Sequence, residues 1–144
     1  MSGIWDELEE IGGGVQGSRL PRTEGYPLAA AVWELAPGSD GVDYHFHHGT
    51  EELLIVLRGR PTLRTAEGER QLEEGEVVHF PPGPRGAHTV MNRTDADVRY
   101  LMVGAHASPD IIEYPDEGTF VAGAKTHSQR GEPFFVRLPM PENE

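Results

Sequence analysis

Short apolar-rich segments run through the chain, interrupted about every ten residues by Gly, Pro, Asn and Asp. Strands and turns at that spacing indicate an antiparallel sandwich or barrel. Leu28 to Ala36 (LAAAVWELA) is the first segment with clear strand character, and Pro37 and Gly38 close it. Val42 to His48, Glu52 to Arg58 and Pro61 to Thr65 follow, and a hairpin loop between Thr65 and Arg70 turns the chain back through Arg70 to Leu72. Glu76 to Phe80 stops at Pro81-Pro82-Gly83, and the turn from Asn92 to Asp97 separates His88 to Arg93 from Val98 to Val103. Beyond Ser108 the pattern weakens, leaving Ile111 to Pro115, Gly118 to Val121 and Phe134 to Leu138 as short strands before an extended tail. At the other end, residues 2–11 are expected as one or two helical turns or a short extended segment, with Ser2 as N-cap and Ile4, Leu8 and Ile11 at helical spacing. Gly12 to Gly17 (GGGVQG) is expected as a flexible connector.

A length of 144 residues predicts one domain, 1–144, able to bury a core of its own. Its centre is expected at about 28–104, with 1–27 as an N-terminal arm and 105–144 as a C-terminal extension. There is no cysteine, which excludes disulfides and Cys-ligated zinc. No apolar run approaches membrane-spanning length and the N-terminus is acidic, so a cytoplasmic protein with no membrane partner is expected. Lys plus Arg number 12 against 24 Asp plus Glu, a formal net charge of −12 that repels nucleic acid at long range while leaving room for a local basic site.

The candidate chemistry lies in two stretches. In GVDYHFHHGTEELLIVLRG, His45 and His47 are two residues apart, and on a strand such residues project to the same face roughly 6.6 Å apart. Glu52 then opens an apolar run, and His88 arrives from a second stretch bracketed by Pro and Gly turns. Same-face imidazoles, a carboxylate from the next strand and a distant histidine can together chelate one divalent ion. Iron, manganese, nickel and zinc all suit that donor set. His48 faces the other way from His47 and is expected at the rim or surface.

With both stretches read, the chain resembles the cupin superfamily. The first cupin motif, G-x5-H-x-H-x(3,4)-E-x6-G, is matched from His45 through His47 and Glu52 to Gly59. The second, G-x5-P-x-G-x2-H-x3-N, is matched at both ends by Gly75, Pro81 and Gly83 and by His88 and Asn92, with a widened loop between Gly83 and His88. The resemblance implies an all-β jelly-roll barrel, a double-stranded β-helix. It also implies His45, His47, Glu52 and His88 as ligands of one divalent metal, and a homodimer.

Strand parity places Leu54 and Val56 on the face of Glu52, and Val90 on the face of His88. These three, with Tyr100 and with Arg85 in the widened loop, are the expected contacts of a small-molecule substrate; Tyr26, Tyr44, Arg58 and Arg60 are further polar candidates. His79 is the expected partner that orients a ligand imidazole, and Asn92 is expected to bond backbone at a turn. By analogy with the superfamily, the favoured activity is a metal-dependent one of oxygenase type, among dioxygenases, decarboxylases and isomerases. The alternative is a non-catalytic module that binds a sugar or carboxylate.

Overall fold

A computed structural model describes residues 3–124 and 133–142. The described residues are all-β apart from one 3-10 turn, Pro84–Gly86. In order, the strands are β1 (Glu9–Gly12), β2 (Val15–Arg19), β3 (Leu28–Leu35), β4 (Phe46–His47), β5 (Glu51–Arg58), β6 (Thr62–Thr65) and β7 (Gly68–Gln71). They continue as β8 (Val77–Phe80), β9 (Thr89–Met91), β10 (Val98–Ala105), β11 (Asp110–Tyr114), β12 (Thr119–Ala124) and β13 (Phe134–Pro139). Three antiparallel sheets result: β1-β2-β3-β10-β5-β8, β13-β12-β11-β4 and β7-β6-β9.

The alternating pattern decides which face is buried. On β5, Glu52, Leu54 and Val56 are buried while Glu51 and Arg58 are exposed. The register continues this inner face across the six-stranded sheet, through Val98, Tyr100, Met102 and Gly104 on β10 and Leu35, Trp33, Ala31 and Ala29 on β3. Leu35, Leu54, Val56, Val98 and Tyr100 from this face join Leu63, Leu72 and Val90 in one buried cluster. Each such side chain contributes about 1.5–3 kcal/mol by leaving water. Asn92 closes the structure next to the cluster. Fully buried, it donates from Nδ2 to the carbonyls of Leu35 at 2.9 Å and Ala96 at 2.7 Å, the turn-bonding role expected of it.

The N-terminal segment differs from the helical option. No helix forms over residues 3–11, and Ser2, the expected cap, lies outside the described residues. The buried Arg99 accounts for this: its Nη1 donates to the carbonyls of Ile4 at 2.9 Å and Asp6 at 3.2 Å, while Nε holds Glu34 at 2.8 Å. A short helix is marginal alone, and here its carbonyls are taken by a tertiary contact. Glu9–Gly12 instead pairs with β2. The glycine-rich segment is therefore a hairpin rather than a connector. Gly13 and Gly14, with φ of 62° and 74°, occupy a two-residue turn that needs positive φ at both positions. Val42 to His48 is also less regular than expected, with only Phe46–His47 in a strand and His45 in an isolated bridge to His88. Among the described residues no helix is long and apolar enough to cross a membrane.

Candidate metal centre

Backbone pairing brings the two distant histidines together. His45 N–H donates to the His88 carbonyl at 3.2 Å and His88 N–H to the His45 carbonyl at 3.0 Å. This mutual pair sets both imidazoles on one face, with ring centroids 5.0 Å apart. Glu52 reaches the same point from the start of β5. One ligand atom each from His45, Glu52 and His88 lies within 4.8 Å of the other two. The loop before His88 is built for a tight approach. A Cβ on Gly86 would meet the Pro81 carbonyl oxygen at 1.9 Å, and the Gly86 carbonyl accepts from His88 Nδ1 at 2.8 Å.

The protonation pattern suits a cation. His45 Nδ1 donates to the Asp43 carbonyl at 2.7 Å as His88 Nδ1 does to Gly86, so each ring presents the Nε2 lone pair. Burial lowers the pKa of both, that of His88 to about 4, and so keeps both rings neutral at physiological pH. Burial raises the Glu52 carboxyl, but the His47 imidazole beside it outweighs this, and the net shift is downward. The carboxylate is thus ionised and nearly buried. Its Oε1 has no well-formed hydrogen bond, and its nearest partner is the His47 Nε2, an ion-pair contact at 3.2 Å. A buried anionic oxygen held by one imperfect contact is costly, and a divalent cation shared by Glu52 and the two imidazole lone pairs would offset that cost. The residues present therefore fit a metal ion.

His47 sits beside this trio rather than within it. Its Nε2 faces Glu52, and its Nδ1 donates to Asp110 Oδ2 at 2.9 Å. Burial pulls the His47 pKa down, but bonds to Asp110 and Glu52 win and lift it to about 9. Asp110 is itself held by Thr50 Oγ1 at 2.6 Å and by the Gly49 N–H at 2.8 Å. The imidazole-orienting role expected of His79 thus falls to Asp110. His79 is half exposed on the opposite face of β8 and bonds Glu51 at 2.6 Å. His48 is exposed, as parity predicts, and pairs with Glu113 at 2.7 Å.

A cavity of about 320 Å³ opens beside Glu52 and His47, between the inner faces of the six- and four-stranded sheets. Ala29, Ala31, Trp33, Met102 and Gly104 line one side, and Asp110, Ile112, Val121 and Phe135 the other. None of the expected substrate contacts lines it. Leu54, Val56, Val90 and Tyr100 are packed in the core. Their parity was read correctly, but the space they face is filled by one another. Arg85 is exposed on the 3-10 turn. Tyr44 carries Arg64 on its ring, Arg58 lies over Trp5, Arg60 pairs with Glu73 and Tyr26 is exposed. Cavity residues missed from the sequence include His106, Arg19 and Arg22. His106 lies flat over β10 because residue 104 is glycine, where a Cβ would come within 2.6 Å of its Nε2. The Gly-x-His spacing of Gly104 and His106 at that strand end was the available signal.

Comparison with known proteins agrees with this geometry. The family model for the Cupin domain matches residues 31–104. No protein of curated function matches the chain in sequence. Among solved structures, a sugar phosphate isomerase from a cupin superfamily, from Silicibacter pomeroyi, is 25% identical with a TM-score of 0.75, covering 90% of this chain and 81% of that one. A candidate sugar phosphate isomerase from Acidithiobacillus ferrooxidans is 26% identical with a TM-score of 0.63, over 76% of this chain and 66% of that one. A Cupin 2 conserved barrel domain protein from Salinispora arenicola is 26% identical with a TM-score of 0.54, over 70% and 82%.

Proposed function

The chain belongs to the cupin superfamily, and from that premise we propose that it is a metal-dependent enzyme acting on a small organic substrate in the cavity beside Glu52. The observation that carries this reading is the buried Oε1 of Glu52, which no well-formed hydrogen bond reaches, set among imidazoles on a residue that lines an apolar-walled cavity. His45, Glu52 and His88 would hold the ion, with His47 as the fourth candidate next to Glu52. Iron, manganese, nickel and zinc all accept such donors. When bound, a divalent ion supplies Lewis-acid polarisation of a substrate oxygen.

Oxygenase-type chemistry was the expectation from resemblance alone. The similar structures named as sugar phosphate isomerases move the preference to isomerisation of a small hydroxy-carbonyl compound. Such a reaction shifts a proton between adjacent carbons and needs a proton carrier beside the oxygen-binding end. His106 lines the cavity outside the ligand cluster and is our candidate. His47 is protonated near neutrality in the metal-free chain, its pKa lifted to about 9; as the fourth ligand it would give up the Nε2 proton while its Nδ1–H stays on Asp110. Trp33, Met102 and Val121 exclude water from the wall. On this reading the whole chain is one cupin domain whose sheets wrap as the family's jelly roll. It pairs as a homodimer through exposed apolar strands such as β13, where Phe134, Phe135, Val136 and Leu138 face solvent.

The test is deuterium wash-in. The protein is stripped of metal, reloaded separately with manganese, iron, nickel or zinc, and incubated in D2O with a panel of aldoses, ketoses and their phosphates. Metal-dependent exchange at the carbon next to the carbonyl, lost in His106→Gln, is the expected result. Stoichiometric metal binding without exchange on any compound contradicts the enzyme and leaves the ligand-binding module.

A further inference from the structure

The cavity has a second polar end, set by the register of the six-stranded sheet. Arg19 on β2 stands opposite Ala31 on β3, Ala31 opposite Met102 on β10, and Met102 opposite Leu54 on β5. The adjacent row on the same face holds Ala29, Gly104 and Glu52. The floor between Arg19 and Glu52 is therefore made of Ala29, Ala31 and Gly104, with Met102 at its edge, and it stays open. Three strand spacings separate the two backbones, roughly 14 Å. The cavity that both side chains line fills the gap between them, and Arg22 joins Arg19 at the far end.

Among the described residues these arginines lack acidic partners, as do Arg58, Arg85 and Arg137, but of these five only Arg19 and Arg22 line the cavity. The chain carries 24 acidic residues against 12 basic ones, and Arg60, Arg64, Arg70, Arg93 and Arg99 each pair with a carboxylate. Among the described residues neither Arg19 nor Arg22 does, and Arg22 spends one donor on the Tyr26 carbonyl at 2.6 Å. A guanidinium presents five donors in a planar fork that matches a tetrahedral oxyanion. Two of them, without carboxylates and at one end of an apolar-walled cavity, provide an anion site.

We propose that Arg19 and Arg22 form a phosphate-binding end of the cavity, so that the substrate is a small phosphate monoester whose other end lies at Glu52. The far end of this assignment rests on the metal-enzyme reading above; the phosphate end does not.

The experiment is isothermal titration of the full-length, chelator-treated chain with inorganic phosphate, since with no ion present the metal site cannot hold the probe. Saturable binding is expected, weakened about tenfold or more in Arg19→Gln and in Arg22→Gln, partly kept in Arg19→Lys and unchanged in Arg85→Gln. Circular dichroism reports that each variant is folded. Equal affinity in the wild type and Arg19→Gln, equal weakening by Arg85→Gln, or no phosphate binding at all would overturn the site. Acetate binding as tightly as phosphate would overturn the phosphate assignment. Titration of the same proteins with Co2+ separates the two readings. Arg19→Gln is expected to bind the ion normally, and Glu52→Gln to lose it while still binding phosphate. Undiminished Co2+ binding by Glu52→Gln would defeat the metal reading without touching the phosphate result.

Discussion

The inner face of the six-stranded sheet is solid at one end and hollow at the other, although the same strands build both. At the solid end Leu35, Trp33, Tyr100 and Val56 meet across β3, β10 and β5, and Leu54 beside them is completely buried. At the hollow end the corresponding positions are Ala31, Ala29 and Gly104, and Glu52 faces the cavity. Backbone geometry is shared, so side-chain volume alone separates core from site. The buried aromatic and branched residues hold the strands in place. The small residues leave a space that the rigid half keeps from collapsing, and a site on such a scaffold is held more precisely than one on loops.

The largest effect that separates the two ends is expected from Leu54→Ala. Deleting that side chain should cost about 2–5 kcal/mol in urea unfolding, while the folded fraction keeps its metal uptake. Loss of metal uptake from the folded fraction would show that the two ends are not independent.

Acid and alkali should act on the hollow end from opposite sides in the metal-stripped chain. Burial holds His88 at about 4, below its ordinary 6.5, so the unfolded chain binds the extra proton. The stability this neutral ring permits is complete above pH 6.5 and is lost as pH falls toward 4, by roughly 3 kcal/mol. His47 is lifted to about 9 by Asp110 and Glu52 against its burial. Its contribution is complete below pH 6.5 and is lost as pH rises through 9, by a similar amount. Urea midpoints should therefore peak near pH 6.5 and fall toward both pH 4 and pH 9, and His88→Gln should flatten the acid limb alone.

A smaller effect is expected at Asp110. Asp110→Asn frees His47 from its charged partner and should weaken metal affinity about 10–100-fold, read by competition against a fluorescent chelator, with the circular dichroism spectrum unchanged. Smallest of all, His79→Ala removes only an exposed pair with Glu51. It should shift stability by less than about 0.5 kcal/mol and leave metal affinity intact.

The sequence made some of this legible for physical reasons. The two-residue steps from His45 to His47 and from Glu52 to Leu54 and Val56 fix faces, because strand side chains alternate, and the turn residues around His88 mark where a loop returns. What it could not give was side-chain volume in three dimensions. Parity put Leu54, Val56 and Val90 on the right face, but only packing across strands shows that this part of the face is filled. Asp110 was out of reach because it contacts His47 from 63 residues away, in a segment whose pattern had weakened. Arg19 was hidden because residues 12–17 read as a connector. The alternation of buried Val15 and Gly17 with Arg19 on the same face was the signal that a strand ran there. The N-terminal helix failed for a similar reason, since its helical spacing is local and the Arg99 contact that competes with it is not.

The central claim is that Glu52 and its flanking imidazoles hold one metal ion at the hollow end. Elemental mass spectrometry of the purified wild type, Glu52→Gln and His79→Ala, each reloaded with the same divalent metal and desalted, tests it most directly. One equivalent in the wild type and in His79→Ala, and almost none in a folded Glu52→Gln, is the predicted result. Equal metal in all three, or none in the wild type after reloading, would contradict it.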